Sequence, residues 1–284
     1  MTIFDMNKNI DPKDPYLFFE NYIDLNTIPN QKTIEEFLQE SIDPDEGYGN
    51  KLRPIFIVAV VNPKDMLTKV GLALRKYAIG RDGNEEKFWH ISMGFGPNLK
   101  HLYSFSNGHS DAGNNARKGG LSFESIELYK KWYAPESTMQ VSCILVSKEV
   151  INKVKDTLDY YIKNKEKTSY NVFGLADIFL NKGKEDGLRL SNICSQFVDT
   201  ILKSAGIQIS KRLNNLTSPT DLSAAEGDRK QFIVYDGLIR EYDENAVIEK
   251  VDAMSRKKSN EYFKLLEKEK KEEEKNKKKE DNEK

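Results

Sequence analysis

Apolar residues recur along this chain with two different periods, and the switching between them predicts a mixed α and β fold. Residues 55–61 (IFIVAVV, after Pro54) are a continuous apolar, β-branched run, which predicts a buried strand. Pro63 then opens a predicted helix over 65–77, with Met66, Val70, Leu72, Ala73 and Leu74 on its inner side. Residues 88–95 (FWHISMGF) and 101–106 (HLYSFS) flank a turn at Pro97-Asn98 and predict a hairpin. A short strand over 121–126 and a longer one over 139–146 (MQVSCILV), with Cys143 inside, follow. Residues 148–164 return to helical spacing through Val150, Ile151, Val154, Leu158, Tyr161 and Ile162.

The second half begins with a helical or turn-helix segment at 170–180 (YNVFGLADIFL). In 190–207 (LSNICSQFVDTILKSAGI), Ile193, Phe197, Val198, Ile201, Leu202 and Ala205 make one apolar helix face. Ser191 or Asn192 is the expected N-cap, and Gly206 the stop. Residues 216–222 (LTSPTDL) predict a turn with a new N-cap at Thr220. The Asp236-Gly237 pair predicts a terminal hairpin between 231–235 and 238–242.

Punctuation and charge divide the chain into three parts. Pro12, Pro15, Pro29 and Pro44 cut residues 1–50 into an arm with short helical pieces at 16–25 and 33–41 and several aromatics. Residues 51–253 carry the strong periodicity, and 254–284 are mostly Lys and Glu, a charged helical or disordered tail. Nothing in the arm looks catalytic; its aromatics are expected to pack against the main domain or a protein partner, and the tail is expected to be solvated, with a partner bound through it as the alternative. The loop at 107–120, rich in Gly and Asn, is long enough to suggest a role or disorder. No repeat of fixed period occurs.

Composition narrows the classes. The 284 residues are 38% hydrophobic and 31% charged, with a formal net charge of -1, so no global field argues for nucleic acid. The opening MTIFDMNKNIDPKDP is acidic and broken by prolines, unlike a signal peptide. No apolar run reaches the roughly 20 residues that span a membrane. The expectation is a protein cytoplasmic as synthesised, with incorporation in a virion as a further destination. The 2 cysteines give no disulfide framework, no HExxH or CxxC indicates a metal, and no phosphate-binding glycine motif is present. No cofactor is expected.

Candidate chemistry centres on Cys194. It falls in the first turn of its helix, where unpaired N–H groups and the helix dipole favour negative charge. A thiol there has reason to become a thiolate, and the same N–H groups can hold an oxyanion. The competing reading is a small core residue. Of the histidines His90, His101 and His109, His90 is the best base because a strand fixes it; His101 sits beside a turn and His109 in the glycine-rich loop. A Cys–His site also needs a third polar group to orient the imidazole. The hairpin partner offers Tyr103, Ser104 and Ser106, with Ser104 and Ser106 on one face; Glu124 and Asn171 are alternatives.

With His90 ahead of Cys194, the set IFIVAVV, LTKVGLALRKY, FWHISMGF, LYSFS, GGLSFESI, YNVFGLADIFL, NICSQFVDTILKSAGI and LTSPTDL resembles the circularly permuted branch of the papain-like cysteine hydrolases, the NlpC-type cell-wall endopeptidase superfamily. It is similar to proteins of Gram-positive bacteria and their bacteriophages that carry the same series. The resemblance covers about residues 53–222. It implies an α+β papain-like core, an antiparallel sheet packed against the cysteine helix, in permuted order. It implies Cys194 as nucleophile, His90 as base, and a third residue on the strand after the histidine, which points to Ser104 or a neighbour. Many members carry a carboxylate or amide there. The implied activity is cleavage of amide or ester bonds in a peptide or acyl substrate, commonly peptidoglycan peptides. The alternative is a non-catalytic papain-fold structural or interaction protein, for example a bacteriophage virion component.

Overall fold

The computed structural model describes residues 52–61, 87–106, 119–171, 190–210, 217–224 and 231–282. The expected N-terminal arm, the helix over 65–77, the loop with His109 and most of the segment over 170–180 lie outside the described residues.

Within them, β1 (Arg53–Val61), β2 (His90–Gly94), β3 (Leu102–Ser106), β4 (Gly120–Glu124), β5 (Thr138–Val146) and β8 (Phe232–Leu238) form a six-stranded sheet in the order β4-β3-β2-β1-β5-β8. Every neighbouring pair is antiparallel. The helices are α1 (Ile126–Trp132), α2 (Lys148–Lys163), α3 (Cys194–Ser204), α4 (Pro219–Leu222) and α5 (Glu244–Asn282). The remaining strands, β6 (Ser169–Tyr170) and β7 (Ser191–Asn192), make a short parallel bridge. The class is α+β.

Helices cover both faces of the sheet. On one, Ile55, Ile57, Ile91, Met93, Tyr103 and Phe105 pack with Ile151, Val154 and Leu158 of α2 and Phe197, Val198 and Ile201 of α3. On the other, Phe56, Val58, Val60, Met139, Val141 and Cys143 meet Ile126 and Tyr129 of α1 and Val247 and Val251 of α5. β1 is central and covered on both faces, which is why its sequence is unbroken apolar rather than alternating. Complete burial of a large apolar side chain stabilises by about 1.5–3 kcal/mol. Both layers therefore contribute to holding β1 and its neighbour β2, the strand that begins with His90.

Three local expectations change. The predicted terminal hairpin is a single strand: β8 runs straight through Asp236-Gly237, because β5 extends far enough to pair Gln140 with Asp236, Met139 with Gly237 and Thr138 with Leu238. A continued ladder satisfies more backbone groups than a turn at that point. The cap of the PTDL turn is Ser218, not Thr220. Pro219 fills the first helical position, and Ser218 and Asp221 exchange side-chain to backbone bonds at 3.2 and 2.8 Å. Ser191 and Asn192 pair with Ser169 and Tyr170 instead of capping α3, and Ile193 takes the cap position with no side-chain bond of its own.

The C-terminal helix begins at Glu244 and crosses the expected boundary at 253. Its buried side continues through Ser255 and Ser259: Ser255 Oγ donates to the Leu52 carbonyl and Leu52 N–H donates to Ser259 Oγ, both at 2.9 Å. The domain therefore includes at least this much of the charged segment. Among the described residues no helix is long and apolar enough to cross a membrane.

Candidate active site

Cys194 is the first residue of α3, a helix whose apolar face is locked by Phe197 against Phe105 and Tyr161, with ring centroids 4.9 and 5.1 Å apart. This packing lays α3 across β2 and β3 and sets the height of its N-terminus. No side chain at the cap position takes the first-turn N–H groups; Gln196 Oε1 instead accepts the Ile193 N–H at 3.3 Å. The thiol thus sits at the positive end of the helix dipole.

His90 opens β2, opposite Val60 of β1. Its imidazole lies close enough to Cys194 for the sulfur to help raise the ring's pKa. His90 Nε2 lies 2.8 Å from Glu124 Oε2 and 3.1 Å from Oε1. With Nε2 committed to the carboxylate, Nδ1 is the ring nitrogen left for the sulfur. Two of the expected residues, Cys194 and His90, are therefore together.

Ser104 is not the group that orients the ring. Its hydroxyl donates to the Ile91 carbonyl at 2.6 Å. The β2–β3 ladder registers only Met93 with Tyr103 and Gly94 with Leu102, whereas β3–β4 pairing continues to Ser106 and Gly120. Ser104 ties β2 to β3 where the ladder has stopped, one residue from His90. A serine hydroxyl this short reaches the neighbouring backbone, and the longer Glu124 reaches across from the next strand. Glu124 pairs with Leu102, which pairs with Gly94, so it shares a sheet face with His90. The orienting group comes from the second strand after the histidine, not the first.

Glu124 is wholly buried and held by more than His90. Ser122 Oγ donates to Oε1 at 2.8 Å, and the Tyr129 hydroxyl donates to Oε2. The single Tyr129 proton is used there, so the 2.7 Å contact with Ser92 is a donation from Ser92. Burial raises the Glu124 pKa, but the His90 charge and the three donors outweigh it and the result is lowered. For His90 burial acts downward; the Glu124 charge, the bonds to Cys194 and Glu124, and the charge on Cys194 lift it to about 10. At neutral pH the pair is an imidazolium on a carboxylate, and the imidazolium faces the sulfur.

Tyr129, Ser122 and Ser92 are parts of the site that the sequence pattern did not single out. The available signal was Glu124 itself, a charge ending an apolar strand, followed by Ser125 as a cap: Ser125 Oγ accepts the Leu128 N–H at 3.2 Å and starts α1. His101 lies elsewhere, beyond the opposite end of β2, with its pKa lowered to about 4 by burial and by Lys100. Asn171 is bound through its backbone N–H to the Asn192 carbonyl at 2.9 Å. Cys143 is in the other core layer, where burial pushes its thiol up to about 12. Among the described residues no group of three or more His, Cys, Asp and Glu side chains is arranged to hold a metal ion.

An imidazolium held from behind by a carboxylate, beside a thiol at a helix N-terminus, can stabilise a thiolate and can deliver a proton to a leaving group. Comparison of the chain with protein-family models, with curated proteins and with solved structures finds no match to any of them.

Proposed function

We propose that this chain is a cysteine hydrolase with a permuted papain-like fold, acting on an amide or ester bond of a peptide or acyl substrate. The observation that carries the reading is the chain of contacts Cys194, His90, Glu124: nucleophile, proton carrier and orienter in contact order, drawn from α3, β2 and β4. The antiparallel sheet with α3 laid across β2 and β3 supports the papain-like part, and the position of β2 before α3 in the chain supports the permuted order.

The mechanism follows from the ion pair. The Cys194 thiolate attacks the acyl carbon and forms a C–S bond, and the carbonyl oxygen takes the charge. The Cys194 backbone N–H, at the first turn, is the donor nearest that oxyanion. As the tetrahedral species collapses, the His90 proton passes to the leaving nitrogen or oxygen and the scissile bond breaks. Water then attacks the thioester while His90 takes its proton. Release of the acid restores the thiolate and the imidazolium. Glu124 keeps the ring in one orientation and stabilises its charge throughout.

Peptidoglycan peptides are the substrate class to test first. Purified sacculi digested with wild type should yield new amines or carboxyls, and Cys194→Ala should yield none. A second reading is favoured by one observation: Cys194 is only 4% exposed and His90 9%. That degree of cover also suits a non-catalytic papain-fold structural or interaction protein, such as a bacteriophage virion component. Full biological function in Cys194→Ala would select that reading and reject the hydrolase.

A further inference from the structure

The segment from Thr217 to Leu222 touches both halves of the site. On the cysteine side, Ser195 Oγ donates to the Thr217 carbonyl at 2.6 Å, and Thr217 Oγ1 donates to Asp199 Oδ2 at 3.2 Å. These bonds fix the first and second turns of α3. On the histidine side, Thr220 Oγ1 accepts two backbone N–H groups, from Lys87 and from Phe88, each at 3.1 Å. They belong to the residues that lead into His90. Between the two contacts the backbone is stiff: Pro219 has a fixed φ, and Ser218 and Asp221 close a capping box. The far end is held to the sheet, since Gln231 Nε2 donates to the Leu222 carbonyl at 2.8 Å and the Ala224 N–H donates to Gln140 Oε1 at 2.9 Å.

This short, rigid piece joins the start of α3 to the start of β2. The cysteine is placed by packing of α3, and the imidazole by the ladder to β1 and by Glu124; the segment adds a hydrogen-bonded link between the two starts. We infer that Thr217–Thr220 is a clasp setting the sulfur-to-ring separation, with Thr220 a positioning residue for His90 that touches neither substrate nor sulfur. The inference rests on the Cys–His reading above. Capping by Ser218 is what frees the Thr220 hydroxyl: at the cap it would face its own helix, and as the second residue of α4 it faces the residues that lead into β2.

The test uses the full chain as wild type, Thr220→Val, Thr220→Ser and Thr157→Val. Thr157 bonds Ser204 at 2.7 Å, at the far end of α3 from Cys194, and so reports general loosening of that helix. Alkylation of Cys194 by iodoacetamide is followed across pH by peptide mass spectrometry, with thermal unfolding alongside. Thr220→Val should lower the Cys194 rate at about pH 6 by roughly tenfold through misplacement of the ring. Thr220→Ser should restore it, and Thr157→Val should lower the melting temperature without moving the rate profile. A wild-type profile in Thr220→Val, or an equal shift in Thr157→Val, overturns the clasp while leaving the hydrolase reading standing. An ordinary thiol profile in wild type overturns both. Should Thr220→Val not fold, amide hydrogen exchange in wild type decides: protection at Lys87 and Phe88 supports the clasp, and fast exchange at both overturns it.

Discussion

His90 Nε2 stands 2.8 Å from Glu124 Oε2, and this ion pair is sealed between β2, β4 and α1. Its two partners bias stability with opposite signs. The His90 pKa is raised from 6.5 to about 10, so its contribution is fully present below 6.5 and is lost as pH rises through about 10. The Glu124 pKa is lowered from 4.5, so its contribution is present above 4.5 and is lost as pH falls through the folded value. The two describe one interaction and do not add.

Stability against urea is therefore expected to be greatest between 4.5 and 6.5 and to decline toward pH 10. Glu124→Gln should flatten the alkaline decline, because the ring then has no carboxylate to keep it charged. Removal of the partner altogether, in Glu124→Ala, should cost about 3–5 kcal/mol, the usual range for breaking a buried pair. Equal alkaline slopes in wild type and Glu124→Gln would contradict this assignment.

Ser104 and Glu124 are separated by a different experiment. Ser104→Ala loses one buried bond to the Ile91 carbonyl and should cost about 1–3 kcal/mol of stability. It should leave the pH dependence of Cys194 alkylation where it is, whereas Glu124→Gln should shift it. The reverse pattern would return the orienting role to Ser104.

The two thiols should react differently in the folded protein. Cys143 is fully buried with its thiol pushed up to about 12, and Cys194 lies beside an imidazolium. Iodoacetamide should label Cys194 selectively at neutral pH, and both cysteines only after denaturation. Peptide mapping by mass spectrometry reads the ratio, and equal native labelling counts against an activated Cys194.

Phe197 ties the cysteine helix to the sheet through Phe105 and to α2 through Tyr161. Phe197→Ala should lower the unfolding free energy by about 3–5 kcal/mol, as for other fully buried aromatics. Denaturant titration measures it. A loss under about 1 kcal/mol would mean that the α3 contact layer repacks freely.

Much of the architecture was legible because core periodicity is a local property. The run IFIVAVV, the alternation in MQVSCILV, and the helical stripes of 148–164 and 190–207 each announce an element without reference to any other. The mixed α and β content followed from it, whereas the pairing of Cys194 with His90 was an expectation carried by the resemblance to the permuted papain-like hydrolases. The elements that changed were those decided by a neighbour. β8 passes through an Asp-Gly turn signal because β5 offers it partners. Ser191 and Asn192 leave the cap of α3 because β6 pairs with them.

The third residue shows the same division at the site. By itself the sequence determined the chemical candidates: one thiol at a helix start, one histidine on an apolar strand, and a short set of polar groups near it. It put Ser104 ahead of Glu124, because strand order, the point where the β2–β3 ladder stops and the reach of each side chain are not written in it. Only the tertiary structure brought Glu124 under the ring, with Tyr129 and Ser122 behind it. Periodicity is written within an element, whereas a buried charge finds its partner through contacts between elements far apart in the chain.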